Sequence, residues 1–475
     1  MGDITTPDAS DTPAPEVAPI PFGVRADGTT PPRLSDADLD RIEAGPPQQP
    51  HLGLVASITK PNDLKQTGWG IVLPRDASPD LKQKLTRLIA HRRQEVGNDR
   101  YFAVFEGKEG VRPGESAENW LNRHNVSLAP VEPENGVPYY LLLVGSPDEI
   151  TFAFQSTLDL HFCVGRLHFD DLDDYEAYAN HVVDYETSGT VPNRRVALWI
   201  TRNKNDDATL MLSGMLGTGF TTRPLGQGPR FQGIEYRTTS FLNENATRET
   251  LLGLLRGAAP DGPPTLLFTG SHGLEWDAAD ADTQRKYQGA LVTSEWSKGS
   301  AVAREQFVAG EDVPADANLH GTMCFVFACF GGACPLNDSY QLTPEGDPLP
   351  LAPKPFIASF PRRLLRAGAL AVLAHSDRAW TYGFVSGAGT RQDQLIRGAV
   401  EGLMSGVRAG RCADQFQDQW GTLAAQLNLR LDYKRNKTQP VSKDTLANLA
   451  IARDDARNYV VLGDPAARIK IKDVS

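Results

Sequence analysis

Residues 265–273 read TLLFTGSHG, and residues 322–332 read TMCFVFACFGG. Each is a short apolar run that stops at small or polar residues. Runs of this kind read as parallel-sheet strands buried on both faces, and the residues just past their C-terminal ends stand at the sheet edge where such folds bind ligands. Two of them side by side bring His272 and Cys329 to one rim, although fifty-seven residues of chain separate them.

Outward from this pair the same punctuation recurs. HLGLVASIT (51–59), GWGIVLP (68–74), YFAVFEG (101–107), YYLLLVG (139–145), CVGRL (163–167), RRVALWIT (194–201) and GALAVLAHS (368–376) read as further strands. SPDLKQKLTRLIAHRRQEV (78–96), ESAENWLNRHN (115–125), LDDYEAYANHVVDYE (172–186), RETLLGLLRG (248–257) and RQDQLIRGAVEGLMSGV (391–407) read as helices between them. The alternation predicts an α/β fold with mainly parallel sheets in three-layer α/β/α subdomains. Two subdomains are expected, over 51–190 and 191–475, divided near TSGTVPNR (187–194). Residues 1–50 hold ten of the 34 prolines and nine acidic against three basic residues, so they cannot bury enough surface to offset their ordering entropy. A disordered, Pro-rich acidic tail is expected there, with a regulatory or pro-segment role as the alternative.

Composition limits the function classes. With 40% apolar and 23% charged residues the chain reads as globular, and its net charge of −11 with no Lys/Arg cluster argues against a nucleic-acid partner. The opening MGDITTPDAS has neither a basic nor an apolar leader region, and no apolar run reaches the ~18 residues that span a bilayer. No membrane partner and a cytoplasmic location are expected. Five cysteines, at 163, 324, 329, 334 and 412, are odd in number and uneven in spacing, which fits a reducing compartment better than a disulfide framework.

The two rim residues suggest acyl transfer. A thiolate attacks a carbonyl well when a base takes its proton and backbone donors meet the oxyanion. Gly273 leaves the backbone open after His272, so its N–H and that of Cys329 are the candidate oxyanion donors. Gly331 and Gly332 let the next turn pass close to substrate. A Cys in a short Gly-containing loop, with its His about 50 residues upstream, is the order seen in caspases. Against this, buried cysteines are usually inert and a lone His at a strand end is more often structural. His320 is the rival base. It follows the polar stretch ADANL and leads into the same strand as Cys329, which puts it roughly 20 Å or more away. Cys324 reads as core and Cys334 as a loop thiol.

Together these stretches resemble the caspase-like (clan CD) cysteine peptidases, most closely the gingipain family, over roughly 51–472. YYLLLVGSPDEI followed by VGRLHFDDLDDYEAYANHVVDYE is similar to the first gingipain subdomain. TGSHGLEWDAAD is similar to its His-Gly stretch, FACFGG to its nucleophile turn, AGALAVLAHSDRAW to the next strand with a Trp-bearing loop, and YVVLGDPAARI to the closing strand. The resemblance implies a second, caspase-like catalytic subdomain and cleavage of a protein or peptide substrate through a thioester, with Cys329 as nucleophile and His272 as acid and base.

Other parts of the family pattern are missing. Gingipains orient the His with a carboxylate, but RRVALWIT carries none; Glu275 and Asp277 lie near in sequence, and a backbone carbonyl could serve instead. No D-x-D-x-D-G loop is present, so no metal or other cofactor is expected. The S1 pocket of caspase-like folds lies between the loops TRNKNDDAT (201–209) and HSDRAWTYG (375–383) here. Trp380 matches the gingipain Trp that walls S1, and an indole face suits an Arg or Lys side chain. Asp206 or Asp207 is the first choice for the pocket floor, Asp377 the second. Cleavage after Arg or Lys is therefore expected; acidic P1, using Arg202 or Arg378, and apolar P1 are the alternatives. The Pro-rich segment 331–356 is expected to border the cleft as a processing or ordering site, or to be a plain connector. It and the N-terminal tail are the candidate contacts for a regulatory partner. From a different class, a catalytically silent scaffold on the same fold remains open.

Overall fold

The computed structural model describes residues 23–30, 58–188, 194–257, 262–385 and 390–471. Ten strands form one continuous sheet: β1 (Trp69–Val72), β2 (Phe102–Phe105), β3 (Tyr140–Val144), β4 (Cys163–Leu167), β5 (Arg195–Thr201), β6 (Arg237–Asn243), β7 (Leu266–Gly270), β8 (Met323–Phe327), β9 (Ala371–His375) and β10 (Tyr459–Gly463). Their spatial order is β2-β1-β3-β4-β10-β9-β8-β7-β5-β6. Every pair is parallel except β9 with β10. The chain is thus α/β with a mainly parallel sheet flanked by helices.

The eight inner strands bury every residue, whereas β2 and β6 at the edges are partly open. That is why the inner ones read as unbroken apolar runs and β6, RTTSFLN, does not. The helix expected over 78–96 is two, Pro79–Lys84 and Thr86–Val96, which turn at the buried Leu85. The expected strand at 51–59 falls mostly outside the described residues, as do residues 189–193 of the expected division.

Strands from both halves of the chain share the sheet, where two sheets were expected. They meet where β10, the last of the described strands, inserts between β4 and β9 with a single register pair to β4, Leu462 opposite Arg166. Because β9 and β10 are antiparallel, the sheet consists of two blocks of five strands running in opposite directions. Buried charge ties β10 to the N-terminal elements of its own block: Asp464 accepts from Trp69 Nε1 (3.0 Å) and Arg92 Nε (2.6 Å), and all three side chains are fully enclosed.

Residues 23–30 lie within the stretch expected to be a disordered tail, yet they are ordered. Gly23–Arg25 is an edge strand of a second, four-stranded sheet with Gly273–Glu275, Leu291–Val292 and Phe307–Val308. Val24, Leu274, Val292, Trp296 and Phe307 form its apolar core. Three residues with one buried Val are too short a signal to stand out from the proline-rich surroundings. No described helix is long and apolar enough to cross a membrane.

Candidate active site

The block from β6 to β9 runs β6-β5-β7-β8-β9, so the chain leaves β5 toward β6 on one side and places β7 on the other. In such sheets a reversal of this kind marks the usual ligand position, here the C-terminal ends of β5 and β7. His272 follows β7, Asp206 follows β5, and Cys329 follows β8, next along the rim.

Asp206 is the N-cap of the helix Asp207–Leu212, and its Oδ2 accepts from Thr209 N (2.9 Å) and Thr209 Oγ1 (2.7 Å). The same oxygen lies 2.9 Å from His272 Nε2. Both residues are buried. Burial disfavours the Asp206 carboxylate, but His272 and the Thr209 donors outweigh it and hold its pKa well below the ordinary carboxylate value. An ionised Asp206 only accepts, so His272 Nε2 carries a proton and donates to it. Trp296 meets the imidazole edge to face, with ring centroids 5.8 Å apart.

The His-Gly turn rests directly on the nucleophile turn. Ser271 N donates to Phe327 O (3.0 Å). A Cβ on residue 273 would lie 1.7 Å from the Cys329 carbonyl oxygen, so only glycine fits there. Cys329 is followed by Phe330 at φ 55, a strained conformation for an aromatic residue, held by Phe330 N to Asp377 O (2.7 Å) and Gly332 N to His375 O (2.8 Å). The Cys329 Sγ accepts from Ala379 N at 3.3 Å. Burial pushes this thiol well above its ordinary pKa, with Arg378 and the Ala379 amide opposing, so the enclosed state holds a neutral thiol.

The sequence-stretch 331–356 does border the site. Its hairpin, Asn337–Leu342 with Pro348–Pro350, folds over the loop after β9. Tyr340 packs edge to face on Trp380 at 5.3 Å, Ser339 Oγ donates to Asp377 Oδ2 (2.8 Å), and Asp338 pairs with Arg378. Cys329 and His272 are both fully enclosed.

The residues expected to form S1 are therefore spread out. Asp206 faces His272, where sequence reading left the orienting partner open, and Asp207 is exposed on the first helical turn. Asp377 is buried among Ser339, Asp338 and Arg378, and burial together with Asp338 raises its pKa to about 6. Trp380 is buried against Tyr340, and its backbone N–H donates to Asp455 Oδ1 (2.8 Å). Arg202 is exposed, and Arg378 is buried between Asp338 and Glu275. Asp277 accepts from Ala279 N (2.9 Å) in its own turn. His320 packs on His181 and Tyr185 before β8, at the far end of that strand from Cys329. The signal that could have found Asp206 as the His partner is Asp-x-x-Thr, an N-cap pattern just past a buried strand. Among the described residues, His91, Glu95 and Glu186 bring ligand-type atoms within 4.8 Å of one another, but Arg92 and Arg408 already neutralise the carboxylates.

No family model and no curated protein matches the chain. A solved structure described as "Structure of Protease" is similar over 85% of this chain and 78% of that one, at 12% identity and a TM-score of 0.45.

Proposed function

We propose that the chain is a caspase-like cysteine endopeptidase of gingipain type, with Cys329 as nucleophile, His272 as acid and base, and Asp206 as the carboxylate that orients His272. One observation carries the reading: a buried Asp206–His272 pair whose His-Gly turn admits only glycine against the carbonyl of Cys329. In the reaction, His272 Nδ1 takes the thiol proton as sulfur attacks the scissile carbonyl. The backbone N–H groups of Gly273 and Cys329 meet the oxyanion, and the imidazolium returns its proton to the leaving amine. Water then attacks the thioester, His272 again taking the proton, and the thiol is restored. Neither a metal nor a cofactor enters these steps.

Substrate enters once the hairpin over Trp380 lifts, and Trp380 then walls S1. By resemblance the P1 residue is Arg or Lys, with Asp207 or Asp377 as the acid that meets it. The five buried cysteines, all free, support a reducing, cytoplasmic setting. The scaffold reading is favoured by a different observation, the full enclosure of a neutral Cys329.

An iodoacetamide-type electrophile separates the two. The peptidase reading expects one labelled thiol, Cys329, with labelling abolished in His272→Ala. Labelling that survives this change, or that falls on Cys334, would overturn it. Among fluorogenic peptides differing only at P1, preferred turnover of Asp or of bulky apolar residues would overturn the Arg/Lys preference alone.

A further inference from the structure

Gly273–Glu275, the strand that continues from His272, has Leu291–Val292 on one side and Gly23–Arg25 on the other. The N-terminal strand is parallel and in full register: Gly23 opposite Gly273, Val24 opposite Leu274, Arg25 opposite Glu275. It is anchored beyond the pairing as well. Val24 is fully buried in the apolar core of this sheet, and Ala26 N donates to Glu275 O (3.2 Å) while Ala26 O accepts from Val302 N (3.2 Å). A tight turn follows, in which Gly28 at φ 83 passes so close to Ser300 that a Cβ would lie 1.9 Å from its carbonyl oxygen.

Side chains extend this contact to the nucleophile. Arg25 Nε lies 3.4 Å from Glu275 Oε1, and the same oxygen takes Arg378 Nη2 at 3.1 Å. Arg378 is nearly fully buried, its guanidinium lies 5.6 Å above the Phe330 ring, and the next residue, Ala379, donates to the Cys329 sulfur. Phe330 is the strained residue that follows Cys329. Without residues 23–25 the His-Gly strand would become an unpaired edge over an opened apolar core, and Glu275 would lose one of its two cations.

We propose that Gly23–Arg25 is a positioning strand of the reactive site: it fixes the His272–Gly273 turn by pairing and the Cys329–Phe330 turn through Arg25, Glu275 and Arg378. The idea rests on the peptidase reading for its kinetic consequence only. It assigns the N-terminal segment a supporting role, so its loss lowers turnover. The slot it fills takes an extended peptide with a small residue, a buried aliphatic residue and an arginine in succession.

The test compares the full chain with a chain lacking residues 1–30 and with Arg25→Ala and Glu275→Gln in the full chain. Expected is a fall in kcat on the order of tenfold or more with KM little changed, as for a misplaced reacting group. Arg25→Lys should restore part of it. A synthetic peptide of residues 20–30 added in trans should rescue the shortened chain, and the same peptide with Val24→Asp should not. Unchanged or faster turnover in the shortened chain and in Arg25→Ala overturns the proposal, faster turnover making the segment an inhibitor instead. If the full chain shows no His272-dependent labelling, the peptidase reading fails separately. Amide exchange at 271–275 and 328–332 then decides: the proposal requires it to quicken on deletion and slow again with the peptide, and unchanged exchange overturns it.

Discussion

At the residue scale, the placing of His272 and Cys329 at one sheet rim was legible because each follows an apolar strand, and a strand end is a local pattern. Their supports were not, because Asp206 reaches His272 only through the reversal of strand order between β5 and β7. On the proposed mechanism, Asp206→Asn leaves a side chain of the same size that can push the imidazole into the wrong tautomer. A loss in kcat of roughly 10²- to 10⁴-fold, with the fold intact by circular dichroism, is expected. Gly273→Ala drives a methyl into the Cys329 carbonyl, and overpacking of about 1–3 kcal/mol should appear in urea melts together with loss of turnover. Asp377 gives a pH test. Its pKa in the fold, about 6, stands above that of an unfolded aspartate, so the folded chain holds a proton that the unfolded chain has released. Its contribution to stability is complete below the unfolded value and is lost as pH rises through about 6. Between pH 5 and 8 the wild-type urea midpoint should fall more than that of Asp377→Asn, and parallel curves would remove Asp377 as the cause.

Elements show where local pattern stops being enough. The buried strands matched their readings to within a few residues, since burial on both faces demands continuous apolar sequence. β6 was missed because an edge strand has no such demand, and Gly23–Arg25 because three residues give no period. The hairpin Asn337–Pro350 was expected only as a segment beside the cleft; its seat on Trp380 depends on Tyr340 finding a partner forty residues on. That seat suggests a milder probe than removing the hairpin, since deletion would take Asp338 away and leave Arg378 buried with less countercharge, at a cost of about 3–5 kcal/mol. Tyr340→Ala instead frees the hairpin locally. Labelling of Cys329 should quicken by about tenfold or more while the global melt moves little, because local opening is separate from global unfolding. Equal labelling rates would show that the hairpin does not control access.

For the whole molecule, alternating strands and helices announced the α/β class, but nothing local announced that both halves would share one sheet. That depends on β10 pairing with β4 across almost three hundred residues, and on Asp464 meeting Trp69 and Arg92. Breaking this buried contact tests how tightly the halves are joined. Asp464→Ala leaves Arg92 with Glu186 and Glu95 as its remaining acids, and a loss of about 3–5 kcal/mol is expected, with both halves melting together. Separate transitions would mean that the seam contributes little.

The position of β10 also bears on how the chain is made. A ribosome releases β4 and β9 long before Tyr459–Gly463, and until then each is a raw margin of apolar strand with no neighbour on one side. Nascent chains stalled before residue 459 should therefore recruit holdase chaperones and clump when these are withheld, whereas chains stalled far enough beyond Gly463 for β10 to clear the exit tunnel should do neither. Tyr459–Gly463 is the strand that zips the margins together, so a chain stalled just before it and one stalled well past it differ less in length than in what they would stick to.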